Sequence, residues 1–99
     1  YYGLAQKPLC FTELGYLSPE GYGAALAENF MWGSQTTVAQ QAAWLAEAIA
    51  LSSQSGKVRL VIVWNVDFTR YDGNDPQGGY AIIRPGGGCP ACAAIAAAR

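Results

Sequence analysis

The sequence predicts an α/β fold with parallel strands, and three observations predict it. Residues 7–16 read as a short apolar strand, and residues 58–68 form a near-continuous β-branched and aromatic run of the kind that parallel sheets bury on both faces. Between them, residues 37–56 carry a helical apolar period with a start signal and a stop signal. Strand, helix and strand in that order are the elements of a βαβ unit, whose crossover is expected to be right-handed.

In the first strand Leu9, Phe11 and Glu13 alternate onto one face, so a glutamate follows two core-type side chains into the same interior. A charge placed there needs a reason. It is either a catalytic or binding carboxylate at a strand tip or a paired structural acid. Residues 17–34 make a long connection that holds Tyr22, Phe30 and Trp32, rings suited either to stacking on a ligand or to packing on one another. Glu20 and Glu28 flank the Pro19, Gly21 and Gly23 part of this loop, and Glu47 falls on the solvated face of the helix.

Thr37 and Gln40 fit a capping box at the start of that helix, and Gly56 stands where a left-handed residue would end it. Val38, Ala42, Leu45 and Ile49 form the apolar stripe, widened by Trp44, Ala48 and Leu51. The second strand reads as interior. Residues 67–76 after it are a polar turn region in which Asp67 or Arg70 is placed to reach a substrate; its acidic run lacks the pattern of a calcium loop. Residues 78–85 suggest a short extended segment, and Pro90 opens a short terminal helix over 91–99 with Arg99 near its negative end.

Composition argues for a packed core, since 52% of the 99 residues are hydrophobic and 13% are charged. A net charge of −1 with no basic run supplies no footprint for nucleic acid or phosphate. No apolar stretch approaches the roughly 20 residues that span a bilayer, and residues 1 and 2 do not begin a signal-peptide pattern, so no membrane partner is expected. With no histidine and three cysteines, neither a metal nor another cofactor is expected. Cys10 reads as a buried strand thiol. Cys89 and Cys92 have C-x-x-C spacing, which suits a local disulfide or a pair of structural thiols; redox exchange also uses this spacing, but the segment follows Gly86, Gly87 and Gly88 instead of a strand.

Thr12-Glu13-Leu14-Gly15 closing the first strand and Trp64-Asn65 closing the apolar core of the second carry a resemblance: the chain resembles the C-terminal portion of a cellulase-type (β/α)8 retaining glycoside hydrolase, a superfamily with two catalytic glutamates. The resemblance implies an α/β fold that is a partial (β/α)8 barrel: its seventh strand and helix, its eighth strand and a short eighth helix. Such barrels take about 250 residues, so the chain is expected to be a C-terminal fragment of one barrel domain. Glu13 takes the place of the nucleophile and Trp64 that of the aromatic platform under the sugar, with Tyr16, Trp32 and Asn65 as further substrate-binding residues. The superfamily's acid/base glutamate usually follows an asparagine, and no Asn-Glu pair occurs in the sequence.

The function these features imply is the C-terminal part of a glycosidase acting on oligo- or polysaccharides by double displacement, with a carbohydrate as partner and the isolated chain inactive. A non-catalytic carbohydrate-binding or degenerate barrel module is the alternative. A self-associating interaction module is another, because two βα units leave sheet edges open. The resemblance favours an extracytoplasmic or secreted parent.

Overall fold

The computed structural model describes residues 6–99. In chain order it contains strand β1 (Leu9–Leu14), a 3-10 turn (Glu28–Gly33), helix α1 (Val38–Ser55), strand β2 (Val58–Val63), a second 3-10 turn (Gln77–Tyr80) and helix α2 (Pro90–Ala98). The two strands pair in parallel, with Leu9 opposite Val58 and Leu14 opposite Val63 and register irregularities between those ends.

Local chemistry sets the bounds of α1. Thr37 Oγ1 accepts from the Gln40 amide at 3.0 Å while the Gln40 side chain accepts from the Thr37 amide at 2.9 Å, a reciprocal cap whose loss typically costs about 1 kcal/mol. Gly56 ends the helix at φ 68°, a conformation costly for a residue with a Cβ. α1 turns Gln41, Ala42 and Leu45 inward. Ala42 and Leu45 meet Ile82 and Ala91 in the buried core, and Leu14, Tyr16, Val63, Cys89, Ala94 and Ile95 pack around them. Both helices therefore cover the same side of the sheet.

On the other face of β2, Leu60 and Ile62 are 45% and 46% exposed among the described residues; Phe11, whose partner is Val61, is 42% exposed. Phe11 and Glu13, which alternation was expected to turn into an interior, are both exposed, and the strand register shifts between Phe11 and Leu14.

The partial-barrel expectation is overturned. The described chain is a small α/β unit with one two-stranded parallel sheet, too small to hold the last two units of a (β/α)8 barrel. The physical reason lies in residues 64–89, which form turns and no additional strand, so the sheet keeps two open edges and helices on one side only. β2 stops at Val63, and no strand forms over residues 78–85, where the chain makes the second 3-10 turn and then extends at Ala81. Cys10, expected to be buried, is exposed; its register partner is Leu60, on the face of β2 away from the helix-packed Val63.

Candidate functional site

The carboxyl ends of two adjacent parallel strands lie side by side, and here they bring Glu13 and Trp64 together. Glu13 is the penultimate residue of β1, and Trp64 directly follows β2, its amide donating to Leu14 O at 2.8 Å. Gly15 permits this approach, since a Cβ there would run into the Trp64 carbonyl. The Trp64–Asn65 peptide is cis. Glu13, Gly15, Phe30, Trp64, Gln77 and Tyr80 line an open cleft of about 290 Å³.

The far wall comes from the Gln77–Tyr80 turn. Trp64 Nε1 donates to Gln77 Oε1 at 2.9 Å, and Asn65 Nδ2 donates to the Gln77 carbonyl at 3.0 Å. The Asn65 amide reaches Tyr80 O at 3.3 Å, and Ile82 N returns to Asn65 O at 3.0 Å. The segment after β2 is thus laced to the turn along both backbone and side chains. Burial pushes the Tyr80 phenol pKa up, so a neutral hydroxyl lines the cleft.

Arg84 ties the loops of the two strands together. It is 7% exposed; Nη1 donates to Gly79 O and Ala81 O, and Nη2 to Ser18 O and Glu20 O, all at 2.9 to 3.0 Å. Its guanidinium also lies over Tyr22, 5.3 Å from the ring centroid, and Tyr22 stacks on Tyr71 at 4.1 Å. Gln41, from α1, adds bonds to Tyr16 O and Gly79 O. Loop residues over such a frame hold their places because their backbone groups are bonded.

Of the residues singled out in the sequence, Glu13 and Trp64 share the cleft. Tyr16 does not line it: its ring meets Trp44 edge-on at 5.5 Å and packs against the core. Trp32 also lies outside the lining, 67% exposed, with Nε1 held by Asn29 O at 3.0 Å. Asn65 is buried and braces the loop, its Oδ1 accepting from Phe68 N at 3.2 Å. Asp67 lines a separate groove of about 420 Å³ with Tyr22, Phe68, Arg84 and the Gly86–Gly87 turn. Arg70 is engaged with Asp75 at 3.1 Å and Asp72 at 3.9 Å. Gln77 and Tyr80 were not read as site residues. The sequence signal near them is the Gly78-Gly79 pair, both glycines packed where a Cβ would meet backbone or side-chain atoms.

The cleft offers one carboxylate, one indole face, one amide and one neutral phenol. That set suits a neutral polyhydroxylated ring: apolar contact from the aromatics, and polar groups for the hydroxyls. Among the described residues no cluster of three or more metal-ligating side chains occurs, and no helix is long and apolar enough to cross a membrane. Comparison with models of known protein families, with curated proteins and with solved structures finds no match.

Proposed function

We propose that the cleft binds a pyranose unit of an oligo- or polysaccharide, as part of a retaining glycoside hydrolase in which Glu13 is the nucleophile. One observation carries the reading: Glu13 and Trp64, from matching ends of paired strands, line the same open cleft. Trp64 supplies the platform for the sugar's apolar face, and Gln77 fixes the indole through its Nε1. Where a second carboxyl is supplied, the Glu13 carboxylate attacks the anomeric carbon as that carboxylic acid protonates the departing glycosidic oxygen; the aglycone leaves as an alcohol, and the same group, now carboxylate, takes a proton from the water that cleaves the glycosyl-enzyme ester.

Double displacement requires a second carboxyl roughly 5–5.5 Å from the first. Among the described residues, Glu13 is the only carboxylate lining the cleft. The acid/base group therefore comes from elsewhere, and the chain by itself binds sugar without turning it over. A purely carbohydrate-binding role rests on the same lining and differs only in the absence of that second group.

Titration calorimetry of the chain with a panel of soluble oligosaccharides tests the reading. Binding is expected for wild type and for Glu13→Gln, and loss of binding for Trp64→Ala. Absence of binding across the panel, or undiminished binding by a folded Trp64→Ala variant, would overturn it. Where an assembly supplies the second carboxyl, Glu13→Gln abolishes turnover.

A further inference from the structure

We propose that the Cys89–Cys92 disulfide is a site of thiol–disulfide exchange with an external dithiol, small or protein-borne, and that Cys92 carries the attacked sulfur while Cys89 is the leaving group. The structure joins the two sulfurs in a disulfide across the first turn of α2. Cys89 is the N-cap, Pro90 begins the helix, and the Cys92 amide donates to Cys89 O at 3.1 Å.

The two cysteines are not equivalent. Cys89 is half-buried and packs against the Ala42, Leu45, Ile82 and Ala91 core, whereas Cys92 is exposed. An incoming thiolate therefore meets Cys92. The approach is open on the upstream side as well, because Gly86, Gly87 and Gly88 are exposed and a Cβ on any of them would touch nothing within 4 Å. The departing Cys89 sulfur sits at the positive end of a nine-residue helix that has no side-chain cap bond. A thiolate is stabilised there, and a stabilised thiolate leaves faster.

A purely structural role is thinly served by this bond. It closes a ring across a sequence separation of three, and disulfide stabilisation grows with the length of the loop closed. α2 has other anchors: Pro90 in its first turn, Ala91 in the core, and Ala94 and Ile95 packed against it.

The exchange balances as follows. A thiolate of the dithiol bonds to Cys92 Sγ as the Cys89–Cys92 bond breaks and Cys89 departs as thiolate. The second thiol of the reductant, deprotonated, then attacks its own sulfur in the mixed disulfide and releases Cys92 as thiolate. The protein gains two electrons and, once both thiolates are protonated, two protons; the dithiol becomes a disulfide.

The test uses the full chain carrying Cys10→Ser, which removes the exposed third thiol. Millimolar dithiothreitol under native conditions is expected to open the bond with the helical circular dichroism retained, and oxidised glutathione to close it again. A bond that resists reduction until the chain unfolds, or a fold that melts when it opens, would overturn the proposal. Direction is read on the Cys10→Ser protein with its disulfide intact: it is treated with reduced glutathione, quenched early with iodoacetamide and mapped by mass spectrometry. The adduct is expected on Cys92, and an adduct on Cys89 sinks the assignment.

Discussion

The Trp64 indole is held by Gln77, whose Oε1 accepts from Trp64 Nε1 at 2.9 Å across the cleft that Glu13 lines. A platform of this kind works only if the ring plane is fixed before the ligand arrives, since ordering a free side chain on binding costs affinity. Gln77→Ala should leave the fold intact, because the Gln77 carbonyl still accepts from Asn65 Nδ2. Removing one neutral hydrogen bond of about 1 kcal/mol corresponds to a five- to tenfold weaker sugar affinity. Calorimetry with the best oligosaccharide of the panel measures it, with Gln77→Glu, which keeps an acceptor, as the rescue.

Gln41 is 1% exposed, and its amide nitrogen serves both Tyr16 O and Gly79 O, at 3.0 and 3.2 Å. Gln41→Leu matches the bulk but removes both donors. Gly79 O keeps Ser18 N and Arg84 Nη1, while Tyr16 O loses the Gln41 donor inside the structure. A destabilisation of about 1–3 kcal/mol is expected for a buried group left unsatisfied, read as a lower urea midpoint at unchanged slope.

Arg84→Lys should be costlier than its conservation of charge suggests. Four carbonyls and the Tyr22 face surround the guanidinium, and an ammonium with three donors matches neither the fork nor the stack. Desolvation is the main influence on this cation and lowers its pKa, so a buried charge with fewer partners is a poor replacement. A loss of about 2–3 kcal/mol is expected by denaturant unfolding.

Alkaline pH should weaken the fold through two tyrosines. Burial raises the pKa of Tyr71 and of Tyr80 above 10.0; at Tyr71 nearby Tyr22 adds to the rise and Arg84 opposes it. A folded-state pKa raised above the unfolded one means that the protonated native state is favoured. That stability is complete below pH 10 and is lost as pH climbs through the raised values. Melting temperatures followed from pH 8 to 11.5 should fall above about pH 10, and Tyr80→Phe and Tyr71→Phe should each flatten the fall.

Helix α1 was legible because its signals are local: Thr37 and Gln40 at one end, Gly56 at the other, and a stripe through Ala42 and Leu45 between them. The parallel strands were legible too, and with them the meeting of Glu13 and Trp64, since parallel pairing puts the carboxyl ends of neighbours at one edge. Which face of the sheet the helices cover was not. Alternation separates Leu60 and Ile62 from Val63 but says nothing about which set meets a partner. The Gln77–Tyr80 turn was hidden for a different reason: its shape depends on distant atoms, among them Arg70 O, which receives Gly78 N at 2.6 Å, and Ser18 N, which donates to Gly79 O. No window of neighbouring residues encodes such bonds, so Gln77 and Tyr80 went unread.

Gly15 and the Leu14–Trp64 hydrogen bond make the backbone a ruler. The backbones that carry Glu13 and Trp64 are set apart by the gap between two paired strands, about 4.8 Å, while Gln77, from a connection, fixes the orientation of the indole. Phe30, Gln77 and Tyr80 do come from connections. Substitutions and length changes in those connections can therefore reshape the cleft while the strand backbones beneath Glu13 and Trp64 keep their spacing.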